Sequence, residues 1–299
     1  MPRPNRWKSW SSAEPLTTKG RRLEDLERDE QRKREEEYRA QSDILSMVDV
    51  LNHGRSKVVG KKFFLAHFGI HLKTPDDIIL PAEGALIEFS IDTGISRQWH
   101  SLIQAGEIPL GTRSECVANA QKTHLIPLED EDLYKNADGE MITPEDILDE
   151  IVGMLTKVKD FGTEPVFCFS SEKTNVELVL EVLYRRGQTF KNDLVLPKVY
   201  ALEDLLYFFE KSIKKEVKER KMKKDLDDDK DFKYLASSSA ALYKLQNANF
   251  ANVAPCAFHD EHFKAEFCSL AIVRNRAFAI LDRLCDVSIS KLYSAFKSC

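Results

Sequence analysis

The chain has 299 residues, 42% hydrophobic and 31% charged, with a formal net charge of -5. That length can bury one large core, or one core with an appendage. A weakly acidic chain is not held to nucleic acid by bulk charge, so any phosphate contact must come from local basic patches.

The basic opening MPRPNRWKSW lacks the apolar run of a signal peptide. No stretch approaches the ~20 apolar residues that cross a bilayer. A soluble, intracellular chain without a membrane partner is expected. Its six cysteines, Cys116, Cys168, Cys256, Cys268, Cys285 and Cys299, should then be reduced, as structural thiols or metal ligands. Cys168 in PVFCF and Cys285 in a helical pattern read as core. Cys256 and Cys268 stand beside histidines.

From about Leu16 to Leu51 the sequence is rich in Glu, Arg and Lys and nearly free of β-branched residues, which predicts an exposed, charge-laced helix. We place this arm at 1–55. The body, 56–290, opens on VVGKKFFLAHFGIHLK, a strand. GALIEFSID and ISRQWHSLIQAG follow as two more strands across the turn Asp92-Thr93-Gly94. Three hairpin-connected strands are antiparallel. Residues from about Glu107 to Glu140 read as irregular. Thr143-Pro144-Glu145-Asp146 then opens a helix, with Thr143 as N-cap and Asp146 as the returning carboxylate.

PVFCFSS is a short buried strand, TNVELVLEVLYRRG a helix closed by Gly187, and LPKVYALEDLLYFFEKSI another strand and helix. That alternation implies parallel strands with crossover helices. The expected fold is α/β: a mixed sheet, antiparallel first and parallel later, flanked by helices. Residues 214–233, nearly devoid of apolar side chains, read as a mobile charged insertion, a solvated linker rather than an RNA clamp. SLAIVRNRAFAILDRLCDVSISKL predicts a long amphipathic helix, before a tail at 291–299.

Cys256-Ala-Phe-His259 has the C-x2-H spacing of a zinc-knuckle half-site, and Cys268 offers a third ligand at the start of the last helix. A structural zinc takes four ligands. GALIEFSID carries a single carboxylate, Glu88, in an otherwise apolar strand. A lone acid there is costly unless it meets a cation or reaches water. Glu88 is a metal ligand, a catalytic acid or an edge residue.

PAEGALIEFSIDTGI, WHSLIQAGEIPLG, KTHLIP and CAFHDEHFKAEFCSLAIVRN resemble, in order and spacing, the Maelstrom domain over roughly Lys61 to Leu284. That family resembles the DnaQ-type exonucleases of the RNase H-like superfamily, which hold two metal ions with Asp-x-Glu on one strand and His with Asp on the last helix. Here Ile87-Glu88-Phe89-Ser90 leaves one acid, and Cys268 falls at the general-base histidine. Two-metal chemistry needs several oxygen ligands, so exonuclease activity is not expected. The resemblance instead implies a structural zinc held by Glu88, Cys256, His259 and Cys268, with His124 in reserve. His100 and His262 are further family-like positions.

The resemblance also implies single-stranded RNA binding, with Arg97, Trp99, Lys122, Arg274 and Arg276 as candidates, and for some members metal-independent RNA cleavage. RWKSWSSAEPLTTKGRRLEDLERDEQRKREEEYRA resembles only the later part of an HMG box. Without its first helix the box cannot form a minor-groove wedge, so DNA binding is not expected. The implied role is transposon repression in the germline with piRNA-pathway proteins, in nuage and nucleus. An RNA endonuclease and a non-catalytic interaction scaffold are the alternatives. Fold analogy cannot separate the three, because function lies in the site.

Overall fold

A computed structural model describes residues 23–136, 138–156, 163–187, 195–223, 233–248 and 253–296. The chain divides into two units, Met1–Asp43 and Ile44–Cys299. The first contributes most of α1 (Leu23–Met47), whose charges pair along its own surface, Arg28 with Glu24 and Arg34 with Glu30. Ile44, Val48 and Val50 are buried in the larger unit. Of the stretch compared with an HMG box, 6–40, residues 6–22 lie outside the described residues and the remainder belongs to α1.

The larger unit continues through two short helices, α2 (Val50–His53) and α3 (Arg55–Val59), into three antiparallel strands: β1 (Phe63–Lys73), β2 (Ile79–Ser90) and β3 (Gly94–Leu102). Next come α4 (Arg113–Lys122), α5 (Pro144–Leu155), β4 (Val166–Cys168), α6 (Lys173–Gly187), β5 (Val199–Ala201) and α7 (Leu202–Lys223). The chain closes with α8 (Ser238–Asn247), α9 (Ala257–Glu261) and α10 (Ser269–Phe296). The five strands form one sheet in the order β3-β2-β1-β4-β5, with β1-β4 and β4-β5 parallel. This is the mixed α/β sheet that the pattern of elements predicts.

β2 is buried at every position, so both of its faces are covered and alternation decides what each side chain meets. One face carries Phe64, Ala66, Phe68, Leu86 and Trp99 and packs on α5 and α6 through Ile147, Ile151, Val179 and Leu183. Gly84 is required there: a Cβ would stand 2.6 Å from the Phe68 ring. The other face meets α10, where His67 and Gly69 of β1 bond Ser269 and Gln98 of β3 bonds Arg274.

α5 starts as its sequence predicts. Thr143 and Asp146 exchange hydrogen bonds in a full capping box. Two stretches differ from expectation. The region expected to be irregular contains α4, which covers the end of β1, Asn119 Nδ2 donating to the carbonyls of Ile70 and His71. The charged stretch expected to be a linker is helical in its basic half, because α7 runs unbroken to Lys223. Its acidic half, at 224–232, lies outside the described residues. No helix among the described residues is long and apolar enough to cross a membrane.

Candidate metal centre

Cys256 caps α9, and the single helical turn that follows brings His259 back beneath it. The turn ends on Phe263 at φ 54, a left-handed conformation that a bulky residue adopts only at a cost. That reversal lets the Lys264 amide donate to the His259 carbonyl at 2.9 Å, and a 3-10 turn, Ala265–Phe267, delivers Cys268 to the start of α10. The sequence-predicted knuckle of Cys256, His259 and Cys268 is therefore assembled in one place.

The carboxylate that joins it is Glu83. One ligand atom from each of Glu83, Cys256, His259 and Cys268 lies within 4.8 Å of the others, a group able to hold a metal ion. Cys256 Sγ is 3.2 Å from His259 Nδ1, which is 3.8 Å from Glu83 Oε2. Glu83, His259 and Cys268 have no exposed surface. Glu83 is oriented by two further bonds, from the Ser269 amide to Oε1 and between His100 Nε2 and Oε2, each 3.0 Å. Gly69, paired with Glu83 across the strands, makes room for it: a Cβ there would sit 2.9 Å from Glu83 Cγ.

The electrostatics fit a cation. The Cys256 thiol is pushed up, first by its hydrogen bond to Cys268 and then by burial, while the same bond holds Cys268 well below the ordinary thiol range. Burial works against a charged His259, yet Cys268 and Glu83 raise its pKa. The protons are shared so that the buried anions are partly neutralised. A divalent ion satisfies the same donors as two thiolates, an imidazole and a carboxylate.

Glu88, expected in this group, is elsewhere. It lies five residues from Glu83 along a regular stretch of β2, so it points to the opposite face. There it accepts from Ser96 Oγ at 2.7 Å and Arg97 Nε at 2.9 Å, and pairs with Lys62 at 2.8 Å. Burial pushes its pKa up, but these three partners outweigh it and hold the carboxyl below its ordinary value. The cation that offsets the buried charge is thus an organic one.

His124 is buried with its ring 4.8 Å from that of His71. Burial lowers its pKa to about 4, and that of His71 to about 3. The residue after it, Leu125, is again left-handed, at φ 58, so strained backbone occurs both after His124 and within the knuckle. His262 is exposed and stacked on Phe258.

The residues expected to grip RNA are mostly engaged within the fold. Arg97 binds Glu88 and the Met154 carbonyl, and Trp99 is buried beneath α5 and α6. Arg274 donates to Gln98 and the Ala254 carbonyl, tying β3 to the segment before Cys256. Arg276 pairs bidentately with Glu172 at 2.7 and 2.6 Å, its guanidinium 3.9 Å from the Phe169 ring centroid. Lys122 stays exposed at the end of α4. Sequence reasoning missed Glu83, although PAEGALIEF places it one residue before the strand as read.

Residues 73–295 match the family model Maelstrom, described as a piRNA pathway germ-plasm component. "Protein maelstrom" of Drosophila erecta is 28% identical over 233 residues, covering 77% of this chain and 46% of that protein. Its Drosophila melanogaster counterpart is 25% identical over 232 residues, with 77% and 47% covered. "Protein maelstrom homolog" of Homo sapiens is 23% identical over 235 residues, again 77% and 47%. The chain thus spans about half the length of the curated relatives it matches, and nothing matched supports the expected HMG-box remnant, which lies before residue 73. With the family model covering well over half of the sequence, including both halves of the metal-ligand group, the chain belongs to the Maelstrom family.

Proposed function

We propose that this chain is a piRNA-pathway factor that represses transposable elements in the germline, in nuage and nucleus, binding single-stranded RNA through an RNase H-like domain. Family membership supports the pathway. The strand order β3-β2-β1-β4-β5, antiparallel and then parallel, supports the RNase H-like reading.

The observation that carries the non-exonuclease character is the donor set. Glu83, Cys256, His259 and Cys268 would hold a zinc ion with two sulfurs, one nitrogen and one oxygen. Four protein ligands fill a tetrahedral shell and leave no position for an activated water, so the ion's contribution is structural. Among the described residues no other group of three or more such donors gathers. Paired magnesium ions need several bridging oxygen ligands. The four residues would join β2 to the start of α10, a staple closed across about 170 residues.

The test is incubation of the full chain with end-labelled single-stranded RNA. Retention at low salt without magnesium-dependent shortening is expected. Shortening from the 3′ end that requires magnesium would overturn the loss of exonuclease chemistry. Cleavage in excess EDTA would replace this reading with the metal-independent endonuclease, and no retention would leave the interaction scaffold.

A further inference from the structure

The candidate RNA contacts on β3 and α10 are largely consumed by internal partners, yet α7 carries cations that are not. Lys211, Lys214, Lys215 and Lys218 are exposed, at spacings of three and four residues that place them on one face. Among the described residues none of the four has an ion-pair partner. Lys211 lies 5.6 and 5.4 Å from the ring centroids of Tyr207 and Phe208, and Lys214 lies 5.3 Å from that of Tyr234. Two acids of the same stretch turn inward: Glu210 and Glu216 are buried, and Glu210 holds Arg283, while Glu219 is exposed just beyond Lys218.

This departs from how the chain treats charge elsewhere. On α1, cations alternate with acids and pair at one-turn spacing. On α7, Lys211 faces Lys215 and Lys214 faces Lys218, like charges one turn apart that weaken the helix. The imbalance is local, since the whole chain carries -5. Solvation alone explains exposed lysines but not the burial of Glu216, the one acid between Lys211 and Lys218.

We propose that this face of α7 is the docking strip for the phosphate backbone of single-stranded RNA, with Lys211, Lys214, Lys215 and Lys218 as the contacts. The strip deepens the proposed function and rests on its RNA-binding reading. It spans about 10 Å of helix, enough to meet more than one phosphate, and Tyr207 and Tyr234 add aromatic surface beside it. A membrane surface would ask for an apolar face next to the cations. Here the opposite face, Leu205, Leu206, Phe209 and Ile213, is spent in the core.

The experiment is fluorescence anisotropy of a labelled oligouridylate with the full zinc-replete chain, titrated at several salt concentrations. The comparison is a variant with Lys211, Lys214, Lys215 and Lys218 each changed to Gln. Gln is a good helix former and removes the repulsion, so the variant should keep its melting temperature. Affinity should fall at least about tenfold, and the slope of log K against log salt should flatten by about 0.7 for each phosphate no longer neutralised. The matching Lys→Arg variant should bind as the unmodified chain does.

If the unmodified chain binds and the Gln variant binds equally with the same slope, the strip is refuted while the RNA-binding reading stands. If the unmodified chain does not bind RNA, both fall. Lysine-dependent capture by phosphatidylserine vesicles without RNA binding would assign the strip to a membrane and overturn the proposal.

Discussion

Glu83 and Glu88 stand an odd number of residues apart on one strand, and that parity sends one acid to the knuckle and the other to Lys62 and Arg97. Composition cannot distinguish them, because both are buried acids in an apolar strand. What separates them is which face α10 covers, a long-range fact. The room that Glu83 needs comes from Gly69, so Gly69→Ala should displace the carboxylate without straining the backbone. Zinc affinity should drop about tenfold or more, as for other changes around a metal's ligands; competition with a chelator would measure it, and unchanged affinity would show that Glu83 does not bind the ion.

His71 is a second residue-scale case: both ring nitrogens are buried without a hydrogen-bond partner among the described residues. Burial, reinforced by His124, lowers its pKa to about 3, and burial lowers that of His124 to about 4. The unfolded chain takes up these protons near pH 6.5 and the folded chain does not. Their effect on stability is therefore absent above about pH 6.5 and grows as a loss below it, by up to about 1.4 kcal/mol per pH unit for each histidine. His71→Phe should be neutral within about 1 kcal/mol at pH 7 and should move the acid unfolding midpoint downward. Urea unfolding across pH 4–7 reads both, and an unchanged midpoint would contradict the assignment.

At the scale of elements, legibility follows the strength of the apolar period. α5 buries Ile147, Leu148, Ile151, Met154 and Leu155 behind its capping box, and its start and apolar face are readable from the sequence. α4 buries only Cys116 and Ala120 among polar neighbours, and α8 only Ala241 and Leu245, too few to mark a helix. α7 hides its second half because Lys and Glu are good helix formers that also make up linkers. Ion pairs between elements are equally invisible. Arg276 of α10 reads as a surface cation, yet it clamps Glu172 at the start of α6 and is largely buried. Removing one partner of such a pair leaves a stranded charge, so Arg276→Ala should cost about 3 kcal/mol in chemical unfolding. A cost below the uncertainty of that measurement would show that the pair contributes nothing.

Across the whole molecule, the knuckle, Ser269 and β1 form one connected unit. Glu83 takes the Ser269 amide, and the Ser269 hydroxyl meets His67 and the Gly69 amide. The candidate ligands come from β2 and from a segment more than 170 residues later, so an ion held between them would tie the second strand to the last helix. The order of the strands and three of the four candidate ligands are legible, because strand alternation and C-x2-H spacing are local signals. The fourth ligand is set by packing.

Zinc stoichiometry of the purified full chain, compared between Glu83→Gln and Glu88→Gln, tests this arrangement most directly. One zinc per chain is predicted for the unmodified protein and for Glu88→Gln, with the ion weakly held or lost in Glu83→Gln. A stoichiometric ion in Glu83→Gln that is absent from Glu88→Gln, or no zinc in the unmodified chain, would contradict the account.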